Sequence, residues 1–196
     1  MPPTSPEHAS ARPPHPLAVE LIAVLGVGGA RVIDFASGSG RNARALRAAG
    51  FEVAEIGDAD ASAATIERTS GRFAAALSTH GLLHGTLEVI GAAIEAIAAK
   101  LEPGGRLFAT FGSVRDARFA RGLEIERFVY APLDGDERGV AHAFFDEPRL
   151  RALLDGRFVL ESVEVRNADE IAGDWAHREK PLRSSAHWFV RARKRD

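Results

Sequence analysis

The 196-residue chain contains no cysteine, which excludes disulfide bonds, thiolate catalysis and cysteine-ligated zinc. It has no apolar run near the ~20 residues of a membrane-spanning helix, and no signal peptide is visible. It also lacks an excess of one charge, because 25 Lys and Arg residues nearly balance 27 Asp and Glu residues. Such a balance argues against polyanion binding. We therefore expect a soluble, cytoplasmic protein that binds neither membranes nor nucleic acids.

Proline is scarce outside the N-terminus, since six of the ten prolines fall within residues 1–16. Ser, Thr and His stand between them, and this composition cannot bury a helix face. The rest of the chain is long enough for one hydrophobic core but not for two comfortable domains. We expect a disordered tail at residues 1–16 and a single domain at residues 17–196.

Apolar runs alternate with helical patterns along this domain. Helices are predicted at residues 17–25, 41–49, 61–69, 87–101 and 147–154. Strands are predicted at residues 31–35, 51–56, 73–77, 106–111, 158–165 and 187–192. This alternation indicates an α/β fold with a doubly wound, mostly parallel sheet and helices on both faces.

One glycine-rich turn links the first predicted strand to its helix. The strand carries Asp34, and Gly38 and Gly40 follow just before the helix begins. A strand, turn and helix in this order place backbone N–H groups and a helix N-terminus beside a nucleotide-like ligand. Glycine permits both a positive φ and the close approach of a ligand. A glycine pair alone is a weak signal, so its neighbours decide the interpretation.

Three segments together resemble the class I S-adenosylmethionine-dependent methyltransferases. Residues 34–40 are similar to the acidic, glycine-rich first motif, with Ala36 where many members carry glycine. The second predicted strand ends at an acidic residue, and residues 101–107 are similar to the family's L-x-P-G-G-x-L turn. The resemblance covers residues 30–112 and is closest to small-molecule enzymes of the tellurite-resistance type. It implies a Rossmann-like sheet with an antiparallel last strand.

The resemblance implies S-adenosylmethionine as the cofactor and an unidentified small molecule as the methyl acceptor. It implies that the glycines approach the methionine and ribose parts, while Asp58 accepts the ribose hydroxyls. Asp60 is the competing candidate; otherwise it caps the next helix. The implied cofactor-binding residues are Asp34, Ala36, Gly38, Gly40, Asn42, Asp58, Ser78 and Thr79.

The loop after the third predicted strand holds the candidate catalytic residue. His80 is a candidate general base, because imidazole accepts protons near neutral pH. The alternative is a loop histidine bonded to backbone. His80 and His84 have the i, i+4 spacing of a metal pair on a helix, but no third ligand is evident, so no metal site is predicted. In the charged loop 134–142, Arg138 or His142 could recognise an acidic or polar substrate.

Two tryptophans lie near the C-terminus of the chain. Trp175 precedes the last predicted strand and is a candidate apolar wall for the substrate. Trp188 lies within that strand, and the alternating pattern there predicts a core position.

The middle of the domain is unusually short. Only fourteen residues separate Asp58 from Phe73, where the family usually has a helix, a strand and a second helix. We therefore expect the usual third strand to be missing and the strand order to be 2-1-3-4-6-5. A right-handed crossover then places the 61–69 helix on the opposite face from the 41–49 helix. Strand two becomes an edge, where a homodimer could form and rebuild the adenine wall; the alternative is an adenine partly in solvent.

A second function of the same fold competes with catalysis. The missing strand favours a non-catalytic protein that binds S-adenosylmethionine or a nucleotide. A nicotinamide-binding protein is less favoured, because the chain has no complete G-x-G-x-x-G motif.

Overall fold

The structure is a computed structural model that describes residues 13–26, 28–167 and 185–196. The helices in these residues are α1 (Pro16–Leu25), α2 (Arg41–Ala48), α3 (Ala63–Arg68), α4 (Leu87–Lys100) and α5 (Glu147–Leu154). The strands are β1 (Arg31–Phe35), β2 (Glu52–Ile56), β3 (Phe73–Ser78), β4 (Leu101–Ser113), β5 (Leu123–Glu126), β6 (Val129–Ala131), β7 (His142–Phe145), β8 (Phe158–Asn167) and β9 (Ala186–Lys194). Every predicted helix and strand is present. None of the helices in these ranges is long and apolar enough to span a bilayer.

The main sheet has the strand order β2-β1-β3-β4-β9-β8. Strands β1 to β4 are parallel to one another, whereas β9 runs antiparallel to both β4 and β8. In the numbering of the predicted strands this order is 2-1-3-4-6-5. The predicted fold class, the strand order and the antiparallel last strand are therefore confirmed.

The Pro-Gly-Gly turn is part of β4. The register with β3 runs from Phe73↔Leu101 to Ala75↔Arg106, so the β4 chain bulges between these two pairs. Gly104, at φ +68, provides the left-handed backbone that the bulge needs. This bulge explains why β4 begins earlier than the predicted strand.

Three short strands were missed by the sequence analysis. Strands β5, β6 and β7 form an antiparallel extension, and β7 pairs in parallel with the last residues of β4. All four residues of β5 are exposed, so the strand lacks the alternation that marks a half-buried strand. The sequence pattern therefore does not mark β5 as a strand.

The helices cover both faces of the sheet. One face is packed by α1 and α2 through a core that includes Leu21, Leu46 and Phe108. The other face is packed by α3, α4 and α5, with Ile66, Ile94 and Leu150 in its core. Because α2 and α3 lie on opposite faces, the predicted side of the crossover helix is confirmed.

The shortened middle is also confirmed. Between β2 and β3 the chain forms a 3₁₀ turn (Asp58–Asp60) and then α3, with no strand. Among the described residues β2 pairs with β1 alone, so it is an edge. The predicted cap, however, is wrong: Ser62 caps α3, since its Oγ accepts from the Thr65 N–H at 3.2 Å. The 3₁₀ turn delays the helix and leaves Asp60 exposed before the cap.

The folded part begins earlier than the predicted boundary at residue 17. Pro16 is the first residue of α1, and the Nδ1 atom of His15 accepts from the Leu17 N–H at 3.1 Å. The side chain of His15 is fully buried and stacks on Phe189. Residues 1–12 of the predicted tail lie outside the described part of the chain.

Candidate active site

A cleft of about 470 Å³ opens at the carboxyl ends of β1 and β3. This is the point at which the strand order reverses, because β2 lies on one side of β1 and β3 on the other. Open α/β sheets bind their ligands at such a switch point. The glycine turn after β1, the turn after β2, the loop after β3, the first half of α4 and residues 137 and 140 line the cleft.

The glycine turn has a left-handed backbone at three alternate residues. Ala36, Gly38 and Gly40 have φ values of +55°, +53° and +68°. A Cβ at Gly40 would lie 2.7 Å from Oε1 of Glu55, so a side chain there would displace the Glu55 carboxylate as well as strain the left-handed backbone. Ala36 keeps its side chain in the same strained region and lines the cleft.

Of the two candidate acids after β2, only Asp58 is in the cleft. Its Oδ1 accepts a hydrogen bond from the Gly38 N–H at 3.1 Å, which ties the glycine turn to the end of β2. The carboxylate is exposed and lines the cleft, whereas Asp60 does not line it. The structure thus brings Asp58 to the position that the resemblance implies.

Asp34 is buried beneath the glycine turn and does not line the cleft. Its side chain is 1% exposed, and neither carboxylate oxygen has a hydrogen-bond partner of standard geometry in the described residues. Burial, with a contribution from the nearby Glu55 carboxylate, raises the pKa of Asp34 to about 7. The Ala43 amide opposes this shift, as do nearby arginines. The carboxyl group therefore carries a proton for part of the time at neutral pH.

Asn42 connects three segments at the base of the cleft. Its Oδ1 accepts from the His15 N–H and its Nδ2 donates to Thr79 Oγ1, both at 2.9 Å. Asn42 and Thr79 line the cleft, while Ser78 is buried next to it. Of the predicted cofactor-binding residues, Asp34, Gly40 and Ser78 do not line the cleft.

His80 lines the cleft from the loop that follows β3. Its backbone is left-handed, at φ +68°, and its N–H donates to Thr110 Oγ1 at 2.7 Å. Its ring contacts those of His15 and His187 edge-on, with centroids 5.7 and 5.0 Å away. His80 therefore lines the cleft and contacts two buried imidazoles, those of His15 and His187.

Burial keeps the imidazoles of His15 and His187 neutral. Burial, followed by the effect of His80, lowers the pKa of His15 to about 2 and lowers that of His187 well below its usual value. Sequence reasoning missed both histidines. Their segments are distant in the chain, and only the fold brings them beside His80.

A second group contains His84, Glu137 and His142. Glu137 comes from the loop between β6 and β7, and with His84 it lines the cleft. His142, predicted to recognise substrate, is buried behind them, and Arg138 does not line the cleft. His84 therefore pairs with His142 and not with His80, because the Gly81–Leu83 segment forms a 3₁₀ turn.

The structure describes only one of the two tryptophans. Trp188 is 5% exposed and its Nε1 donates to the Phe145 carbonyl at 2.7 Å, which confirms the predicted core position. Trp175 lies outside the described residues.

Solved structures that match this fold include S-adenosylmethionine-dependent methyltransferases. The chain is 22% identical to 1,6-didemethyltoxoflavin-N1-methyltransferase from Burkholderia thailandensis, solved with 1,6-didemethyltoxoflavin and S-adenosylhomocysteine, at a TM-score of 0.66; the match covers 92% of this chain and 77% of that one. It is 18% identical to an S-adenosylmethionine-dependent methyltransferase from Methanosarcina mazei, at a TM-score of 0.67 and with coverages of 89% and 97%. TehB from Haemophilus influenzae, of the expected tellurite-resistance type, matches at 12% identity and a TM-score of 0.54, over 91% of this chain and 61% of its own. No protein-family model and no curated protein matches the sequence.

Proposed function

We propose that this protein is a methyltransferase that uses S-adenosylmethionine and acts on a small molecule. The observation that carries the proposal is the cleft at the β1–β3 switch, where the glycine turn and the Asp58 carboxylate face the same space. The cleft volume of about 470 Å³ is in the range of small-molecule sites. The fold shared with methyltransferases supports the same assignment.

The cleft residues fit the proposed cofactor. The glycine turn offers backbone groups without side chains in the way, and Asp58 offers carboxylate oxygens for two ribose hydroxyls. Asn42 and Thr79 add polar side chains at the base. Asp34 acts from below, by shaping the turn, and does not contact the ligand. We assign Asp58, Gly38 and Ala36 to cofactor binding, and Gly40 to the left-handed turn that holds them in place.

The adenine wall that the missing strand would provide has a substitute within the chain. Ala61 and Ser62 lead into α3, which packs on α4, and Ile90 of α4 faces the same part of the cleft. We expect the adenine to bind between these residues and the turn after β2. Sedimentation with and without S-adenosylhomocysteine tests this wall. A dimer that forms only with ligand would instead favour the pairing of two β2 edges.

The chemistry needs little more from the protein than alignment and the exclusion of water. The cofactor supplies an activated methyl group on a sulfonium. His80 lines the cleft from the loop after β3, and an imidazole can accept a proton, so it is our candidate for the group that removes the acceptor's proton. Holding the acceptor in line with the methyl group accounts for the rate gain that such a site can give.

Ligand binding to the glycine turn is the direct test. We expect calorimetric titration to give a micromolar dissociation constant for S-adenosylhomocysteine and no binding of NAD. Gly38→Val should abolish binding, because the side chain would fill the ligand's approach path. Gly156→Val is the matched control: Gly156 also has a positive φ, of +77°, but it lies away from the cleft. Equal binding by both variants would contradict the assignment of the turn.

A non-catalytic binding protein of the same fold is the second candidate. The absent third strand favours it, because loss of part of the usual cofactor wall is compatible with ligand sensing. The two functions differ in one assay, the transfer of a labelled methyl group to small molecules extracted from cells. Binding without transfer to any acceptor would favour the second candidate.

A further inference from the structure

We propose that His84, Glu137 and His142 form a binding site for a divalent transition-metal ion at the mouth of the cleft. We refer to these three residues as the histidine–glutamate cluster. Nε2 of His84 lies 3.3 Å from Oε1 of Glu137, and Nε2 of His142 lies 3.2 Å from Oε2 of the same side chain. One ligand atom from each residue lies within 4.8 Å of the other two. Tetrahedral zinc, with bonds of about 2.0–2.2 Å, places its ligand atoms roughly 3.3–3.5 Å apart.

The backbone positions both histidines. His84 and His142 form an antiparallel β-bridge, and the Gly85 N–H donates to the Ala141 carbonyl at 2.8 Å. The two rings meet edge-on with centroids 4.7 Å apart. Their ring nitrogens are therefore directed by the start of β7 and not by an exposed, isolated loop.

The state of His142 is the strongest indication of a cation. Its Nδ1 lies 2.8 Å from the Val140 carbonyl, which can only accept, so Nδ1 carries the proton. In a neutral ring, Nε2 then presents a lone pair. This atom is buried and has no hydrogen-bond partner in the described residues, although a carboxylate oxygen is 3.2 Å away. Two electron-rich atoms in this arrangement are stabilised by a cation that both can bind.

The partners around the cluster resemble those that orient metal ligands. The Val140 carbonyl fixes the ring of His142, as backbone carbonyls do for metal-binding histidines. Arg118 donates to Oε2 of Glu137 at 3.0 Å, and Asp116 in turn accepts from the backbone N–H of Arg118 at 2.8 Å. Glu137 is thus held in place as a carboxylate that keeps Oε1 towards His84.

The donor set indicates the kind of metal. Two imidazoles and one carboxylate bind zinc in hydrolytic sites and iron(II) in others, whereas magnesium and calcium prefer oxygen ligands. His84 and Glu137 line the cleft, so a remaining coordination position would face it. That position would bind and orient a nitrogen or oxygen atom of the methyl acceptor. This last role rests on the proposed function, but metal binding itself does not.

Metal titration tests the site directly. We expect metal-stripped protein to bind one equivalent of Zn²⁺ by calorimetry, to give the visible absorption of tetrahedral cobalt with Co²⁺, and to ignore Mg²⁺. His84→Gln should weaken Zn²⁺ binding by at least about 100-fold, more than the loss of an outer partner usually costs. His84 is partly exposed, at 37% of its side chain, so this change should leave the fold intact. His142→Gln and Glu137→Gln should act in the same direction.

His80→Gln is the matched control, because His80 is a cleft histidine outside the cluster. It should keep the wild-type Zn²⁺ affinity. Absence of Zn²⁺ binding, or equal affinity in His84→Gln and His80→Gln, would overturn the proposal and leave the cluster as an ion pair. Titration of S-adenosylhomocysteine into metal-stripped protein separates the two proposals. If the protein binds Zn²⁺ but not S-adenosylhomocysteine, only the methyltransferase function is refuted. If it binds S-adenosylhomocysteine but not Zn²⁺, only the metal site is refuted.

Discussion

The two walls of the cleft present different chemical groups. The glycine wall, residues 36–39 with Asp58, presents backbone, small side chains and a single carboxylate. The histidine wall, formed by His80, His84 and Glu137 at the surface, presents side chains that can exchange protons or bind metal. A backbone wall suits a ligand whose shape is constant, such as a cofactor. A wall of titratable side chains suits the chemistry of one particular acceptor, so under the proposed function the cofactor would bind to the glycine wall and the acceptor to the histidine wall.

The walls also cover buried groups with opposite electrostatics. Beneath the glycine wall lies Asp34, whose pKa is raised by burial to about 7. Behind the histidine wall lie His15 and His187, whose pKa values are lowered by burial. The folded state therefore favours the neutral form on both sides, but the two sides should respond to pH in opposite directions.

Asp34→Asn should give the largest effect, a change in how the stability of the protein depends on pH. Since its folded pKa is about 7 and its usual value 3.8, the folded state binds more protons than the unfolded state between these pH values. The stability that the carboxyl group contributes is thus lost as pH rises through this window, by up to about 4 kcal/mol. An asparagine cannot ionise. We expect urea unfolding to show that, between pH 4 and pH 8, the free energy of unfolding of the variant rises relative to that of the wild type by up to this amount.

The pH dependence separates this effect from packing. A change in packing caused by the amide would shift the stability difference equally at both pH values. A difference between variant and wild type that stays constant from pH 4 to pH 8 would show that the Asp34 carboxyl is not titrating in the fold.

Asp58→Ala should weaken the binding of S-adenosylhomocysteine by ~1.5–3 kcal/mol, the range for hydrogen bonds to a charged group. The matched control is Asp60→Ala, which removes an exposed carboxylate two residues away and outside the cleft. Calorimetry should find the control unchanged. If Asp60→Ala weakened binding and Asp58→Ala did not, the ribose would bind elsewhere on the glycine wall.

His15→Asn tests the opposite pH response behind the histidine wall. With its pKa lowered to about 2, His15 stays neutral in the fold while the unfolded chain takes up a proton below about pH 6.5. Stability is therefore lost as pH falls, by about 2 kcal/mol between pH 7 and pH 5. Asparagine keeps an acceptor for the start of α1 but does not titrate. The pH 7-to-5 loss, measured by urea unfolding, should be smaller in the variant by this amount; an equal loss would contradict the neutral His15.

The same contrast explains what could be predicted from sequence. The glycine wall can be predicted from short, contiguous sequence patterns. Gly38 and Gly40 follow β1 and Asp58 follows β2, and because these neighbouring strands are parallel, their carboxyl ends lie side by side. The histidine wall and the buried imidazoles behind it bring together residues that are far apart in the chain, such as His15, His80 and His187. No local period marks such contacts, and they arise only from the way β9 returns beside β4. The strand extension that carries His142 was missed for a related reason, because its exposed first strand lacks alternation.

Ser62→Ala should give the smallest effect, and it tests whether the Ser62 hydroxyl caps α3 or binds the ligand. The Oγ of Ser62 accepts from the Thr65 N–H at 3.2 Å, and loss of a serine cap typically costs about 1 kcal/mol of stability. Asp60→Ala, which removes no cap, should cost only a few tenths of that amount. Because Ser62 also lines the cleft, its replacement reports on the adenine wall. An alanine there keeps the wall closed, so S-adenosylhomocysteine should bind within about twofold of wild type while the unfolding midpoint in urea falls. A large loss of affinity at unchanged stability would instead mean that the hydroxyl bonds the ligand and that α3 takes its cap from elsewhere.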